Sequence, residues 1–202
     1  ELLNACRKDG DLSDDAKCAW VLERIDEQSL MDYYIARAYG GDHDWANIRH
    51  IRSSEGDKKW RVVFFDLDWA FMPNSSARPF YDLLGERSNL RGHNNIIMRA
   101  LLTNASFRAR FLARIGHALS TTFSTETVLA RIDAMEGEIE ADMPYECARW
   151  HRSMESWRKQ VETLRAFAAD RADILAADAV ATFDMTEEEV GRWFGNNHSA
   201  NS

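Results

Sequence analysis

Residues 60–71, WRVVFFDLDWAF, decide how the whole chain is read, because a strongly apolar run leads straight into a pair of carboxylates. Seven of its first ten residues are apolar and the other functional feature is Asp66 with Asp68. A short apolar run bounded by turn residues reads as a strand. Upstream, GDHDWANIRHIR (residues 41–52) changes from helical to extended periodicity, and the polar SSEGDKK separates it from the run at Trp60. Loop, strand, turn, strand is a β-hairpin of about 20 residues. Side chains two apart on a strand share a face, so Asp66 and Asp68 project together if the extended geometry persists that far. Such a pair beside apolar surface needs a cation or hydrogen-bond donors, and a hard divalent cation is the natural solution. The plain alternative is a strand that ends in water with two solvated aspartates.

The first half of the hairpin favours the cation. Its leading loop holds Asp42, His43, Asp44 and Asn47, and in a hairpin the start of one strand lies beside the exit of the other. Asp44, Asn47, Asp66 and Asp68 form an oxygen donor set that suits Mg²⁺, Mn²⁺ or Ca²⁺ better than zinc. His43 and His50 stand at no zinc-defining spacing and are expected to be solvated or structural. No GxSxG, HExxH or Cys–His nucleophile pattern occurs.

The chain has 202 residues, enough for one domain with a sizeable core or a large lobe of something bigger. With 33 acidic against 25 basic residues its formal net charge is −8, which disfavours nucleic acid as the main partner. No apolar run approaches the roughly 20 residues of a membrane helix. The cysteines, Cys6, Cys18 and Cys147, form no CxxC, and free or buried thiols are expected, although a Cys6–Cys18 bridge is open to the chain. No basic-then-apolar leader opens the sequence, so it names no compartment.

Around the hairpin the pattern is helical. Asp26 reads as the N-cap of a helix carrying Leu30, Met31, Tyr34, Ile35 and Ala38, stopped by Gly40 and Gly41. Beyond Pro79 come an amphipathic segment with Ile96, Ile97, Leu101 and Leu102, a polar break at Thr103 and Asn104, and a second with Phe107, Phe111, Leu112, Ile115 and Leu119. Ser124 caps a third, with Val128, Leu129, Ile132, Met135 and Ile139 as its expected buried stripe. Ser153 caps a fourth through Trp157, Val161, Leu164, Phe167 and Ile174. GRWFGNNHSANS, residues 191–202, reads as a fraying end or linker. The fold expected is α+β and mostly α-helical.

Four stretches in this order resemble the spore-coat CotH kinase family: IDEQSLMDYYIARAYGGDHDWANIRHIR, KKWRVVFFDLDWAF, NIIMRALLTNASFRARFLARIGHAL and SWRKQVETLRAFAADRADIL. They cover most of residues 25–175. The layout is also similar to the catalytic and metal-binding loops of protein kinases, where one Asp faces the substrate hydroxyl while an Asn and a later Asp hold the metal on ATP. The chain departs from ordinary kinases in having neither HRD nor DFG and a shorter Asp44-to-Asn47 spacing. The resemblance implies a divergent kinase-like C-lobe over residues 1–182, with 183–202 a tail or linker and the nucleotide-covering N-terminal lobe absent. It implies Asp44 as the catalytic, substrate-facing residue, Asn47 and Asp66 as cofactor and metal ligands, and Asp68 as a second ligand or a group orienting the loop. The cofactors implied are ATP with Mg²⁺ or Mn²⁺, and the partner a protein bearing Ser or Thr. The setting implied is extracellular, cell-surface or spore-coat, and this portion by itself is expected to be inactive or impaired. The competing expectation is a non-catalytic coat-assembly module, a pseudokinase with a structural cation site. A two-metal phosphatase or nuclease ranks below both.

Overall fold

The computed structural model describes residues 1–8, 11–42, 48–84 and 95–195. Their elements are helices α1 (Leu2–Lys8), α2 (Asp15–Leu22) and α3 (Glu27–Gly40), strands β1 (Arg49–Arg52) and β2 (Trp60–Val63), then helices α4 (Pro79–Leu84), α5 (Ile96–Leu101), α6 (Ala105–Ser120), α7 (Thr125–Ile139), α8 (Met143–Arg149), α9 (Met154–Thr182) and α10 (Glu187–Trp193). The mostly helical α+β expectation holds, with a single two-stranded sheet among the described residues.

Local chemistry starts α3, α6, α7 and α9, three of them where the sequence places the caps. Asp26, Asn104, Ser124 and Ser153 each accept a hydrogen bond from the backbone N–H three residues on, satisfying a donor that the helix itself leaves unpaired. The polar break at Thr103 and Asn104 thus separates α5 from α6, as the spacing predicts. The strands pair antiparallel, Arg49 opposite Val63 and Arg52 opposite Trp60.

Helices α3, α6 and α9 pack on one another, and their apolar faces form the core. Phe107, Phe111, Leu112 and Ile115 from α6 meet Leu30, Tyr34, Ile35 and Ala38 from α3, with Leu175 and Ala179 from α9. Burying each large side chain contributes roughly 1.5–3 kcal/mol. Two salt bridges seal the α3–α6 seam: Arg114 grips Asp32 with two bonds of 2.7 and 2.8 Å, and Arg110 reaches Glu27 at 2.6 Å. Cys6, Cys18 and Cys147 are free and buried.

Two sequence expectations change. No residue of α7 is fully buried, and Met135 and Ile139 of its expected core stripe are 59% and 48% exposed. The reason is packing: α7 lies chiefly along α9, so only the side facing that neighbour is covered. The stretch read as a fraying end begins inside α10, a helix with a full capping box between Thr186 and Glu189. It docks on α6, where Arg108 donates to Glu189 at 2.6 Å and to the Phe183 carbonyl.

Candidate functional site

Helix α3 ends in Gly41, whose φ of 64° is the left-handed conformation that glycine adopts without steric cost. Its last four carbonyls, which have no partner within the helix, are all occupied. The Gly41 N–H donates to Arg37 and Ala38, the Arg171 guanidinium donates from Nη2 to Ala38 and from Nε to Tyr39 at 2.6 Å each, and the Phe71 N–H donates to Gly40 at 2.8 Å. The next residue, Asp42, is not a solvated loop acid. It is buried, with its carboxylate 3.0 Å from Nη2 of the equally buried Arg37, whose Nη1 donates to the Tyr33 hydroxyl at 2.9 Å. Losing either member of a buried pair like this costs about 3–5 kcal/mol, because the other charge is left uncompensated. From this fixed point the chain passes into residues 43–47. Asp44 and Asn47, the expected substrate-facing and metal-binding residues, and His43 with them, lie outside the described residues.

The second arm is the hairpin and its exit. Strand β2 is seated by backbone bonds at Trp60, whose N–H donates to Arg24 and whose carbonyl accepts from Asp26, and by Ser29, whose hydroxyl accepts from the Val62 N–H. The extended geometry does not reach the aspartates. The strand ends at Val63, Asp66 has φ of 55°, and residues 67–71 turn back, with the Ala70 N–H donating to Leu67 and Phe71 at φ of 60°. Strand alternation therefore does not set the directions of Asp66 and Asp68. Aspartate is among the few side-chain-bearing residues that enter the left-handed region readily, so the turn suits it. Asp68 is exposed, as are Phe64, Phe65 and Trp69 around it. Among the described residues no three His, Cys, Asp or Glu side chains gather into a metal-holding group. A cation at Asp66 and Asp68 would need further oxygen donors, such as those of residues 43–47.

The two arms meet through the Phe71–Gly40 bond and through α9. Besides its two bonds to α3, Arg171 donates from Nη1 to the Ser76 carbonyl at 2.8 Å, just beyond the Asp66–Asp68 loop. Two turns further along α9, the buried Asp178 carboxylate accepts from the N–H groups of Phe80 (2.5 Å) and Tyr81 (3.3 Å) at the start of α4 and from the Thr182 hydroxyl. Burial pulls Arg171 down to about 10 and pushes Asp178 above the usual carboxylate range, the latter against the pull of its hydrogen bonds. The Arg171 guanidinium lies 5.0 Å from the centre of the Phe167 ring, which joins Phe71, Tyr39 and Phe123 in one aromatic cluster, with Tyr39 stacked on Phe123 at 4.5 Å between ring centres. Sequence reasoning missed Arg171 and Asp178. Their signal was a pair of ionisable residues in register with the buried positions Ala168, Leu175 and Ala179 of α9.

With this frame described, comparison with known families has a structural context. A sequence model of the CotH kinase protein family matches residues 1–175. The chain belongs to the CotH kinase family. Searches of curated proteins and of solved structures returned no match. The CotH match spans the α3 end, the hairpin with Asp66 and Asp68, and α9 as far as Leu175, so Arg171 lies within it and Asp178 just beyond. Family membership brings a kinase-like function. No helix among the described residues is long and apolar enough to cross a membrane.

A cavity of about 760 Å³ lies elsewhere, between α1, the α2–α3 link and the hairpin, lined among others by Leu3, Arg24, His50, Arg52 and Trp60. Neither Asp66 nor Asp68 lines it.

Proposed function

We propose that this CotH protein transfers the γ-phosphoryl group of ATP to Ser or Thr of a protein substrate with the help of Mg²⁺ or Mn²⁺. The observation that carries the reading is Asp66, held at φ of 55° in a loop whose far end is bonded to the end of α3, where the chain leads into residues 43–47. Phosphoryl transfer is mainly positioning and charge neutralisation, so carboxylates able to gather a divalent cation are the chemistry it needs. In this reading Asp44 faces the substrate hydroxyl, Asn47 and Asp66 hold the metal on the nucleotide, and Asp68 is a further ligand or orients the loop. The bound metal would neutralise charge on the transferring phosphoryl group. A cell-surface or spore-coat setting follows from the family and is part of the proposal. The second reading, a non-catalytic coat module, draws on the absence of a three-residue carboxylate or imidazole cluster among the described residues.

The test is transfer of label from γ-labelled ATP, with Mn²⁺, by the full-length protein to casein as a Ser/Thr-bearing acceptor. Wild type is expected to label it and Asp44→Ala to lose labelling while keeping the wild-type circular dichroism spectrum. Labelling retained by Asp44→Ala removes Asp44 from the mechanism, and none by wild type favours the coat module.

A further inference from the structure

We propose that Arg171 is a positioning residue that ties the root of the first candidate loop, residues 38–42, to the Ser75–Ser76 segment that follows the second. The inference rests on the reading of those loops as the catalytic and metal-binding segments. One guanidinium, 2% exposed, donates to three carbonyls: Ala38 and Tyr39 at the root of the first loop, and Ser76 after the second. Arginine suits this place because its donors form a rigid planar fork, whereas a lysine ammonium is a point charge on a flexible stem. The cation also lies against the negative end of α3, where the helix dipole favours it. The packing leaves little slack: a Cβ added at Gly41 would stand 3.0 Å from Arg171 Nη2 and 2.5 Å from Ser75 Oγ. The first loop root, Ser75–Ser76 and α9 are therefore in mutual contact, and Arg171 has no atom in either loop's own chain.

A residue with this role should hold both loops at once, which a merely structural core residue would not do. The experiment compares wild type, Arg171→Met, Arg171→Lys and Leu175→Ala by amide hydrogen exchange and by Mn²⁺ titration. Leu175 is fully buried one turn along the same helix, so its truncation controls for general loosening of α9. Arg171→Met is expected to speed exchange about tenfold more than Leu175→Ala in both 38–42 and 66–76. It is also expected to weaken Mn²⁺ binding about tenfold or more, as loss of a ligand-orienting partner does. Arg171→Lys should fall between, and it decides the matter if the Met variant does not fold. Exchange that rises in only one loop, or no more than in Leu175→Ala, overturns the proposal. Failure of wild type to bind Mn²⁺ refutes the metal reading instead, and the exchange arm still decides whether Arg171 couples the loops.

Discussion

Replacing Gly41 with Ala tests the turn from which the first candidate loop departs. Two separate costs follow from the geometry. At φ of 64° a side-chain-bearing residue sits in the left-handed region, at a cost of roughly 1–2 kcal/mol. The new Cβ would also stand 2.5 Å from Ser75 Oγ and 2.6 Å from Ser75 Cβ, so Ser75 must move. Forcing one extra carbon into such packing costs about 1–3 kcal/mol. Together the loss is about 2–5 kcal/mol, a large share of the roughly 5–15 kcal/mol that holds a domain folded. In a chain of this size it corresponds to a drop of about 4–20 °C in Tm. Urea melts of wild type, Gly41→Ala, Ser75→Gly and the double variant separate the two terms. The double variant removes the clashing atoms but not the backbone strain, so a coupling of about 1–3 kcal/mol should appear, leaving about 1–2 kcal/mol unrecovered. Gly41→Ala within about 0.5 kcal/mol of wild type, or no coupling to Ser75, would refute the reasoning.

Asp178 supplies a pH test. Its carboxyl is pushed above the usual range by burial, so the folded state holds its proton more tightly than the unfolded chain does. The stability this contributes is fully present below the ordinary carboxylate pKa of about 3.9 and is lost as pH rises through the folded value. Wild type should therefore lose stability relative to Asp178→Asn as pH rises above the ordinary carboxylate range, and urea melts showing a constant or opposite difference would mean that the Phe80 and Tyr81 N–H groups outweigh burial. At the α6–α10 contact, a Cβ on Gly116 would fall 2.2 Å from the Trp193 carbonyl oxygen. Gly116→Ala should release α10, seen as protease cleavage near residues 183–186, at a cost of about 1–3 kcal/mol; protection equal to wild type would count against the docking.

Much of the helical frame was legible because its signals are local. Asp26, Ser124 and Ser153 are caps whose side chains satisfy an N–H three residues away, and Gly40–Gly41 is a stop written in backbone freedom. The stripe of α7 was readable as amphipathic but not as half-exposed, since periodicity shows which face is apolar and not whether a neighbour covers it. The Asp66–Asp68 loop was legible in residue type and misread in geometry. Four residues of strand were enough for pairing, and the turn that follows is imposed by the bond from Phe71 to Gly40, a contact 31 positions apart in sequence. Arg171 and Asp178 were visible only as polar residues in an apolar register. What they hold together is 90 or more residues away, and no local pattern encodes that.

The most direct test of the central claim is calorimetric titration with Mn²⁺, with and without ATP, of wild type and Asp66→Asn. Asparagine tolerates the left-handed backbone, so the substitution removes the carboxylate charge and leaves the loop geometry attainable. The account predicts Mn²⁺ binding by wild type that strengthens with ATP and is lost in Asp66→Asn at unchanged Tm. Equal binding by the two proteins, or none by wild type in either condition, would contradict the claim that Asp66 is the metal-holding carboxylate of a kinase-like site.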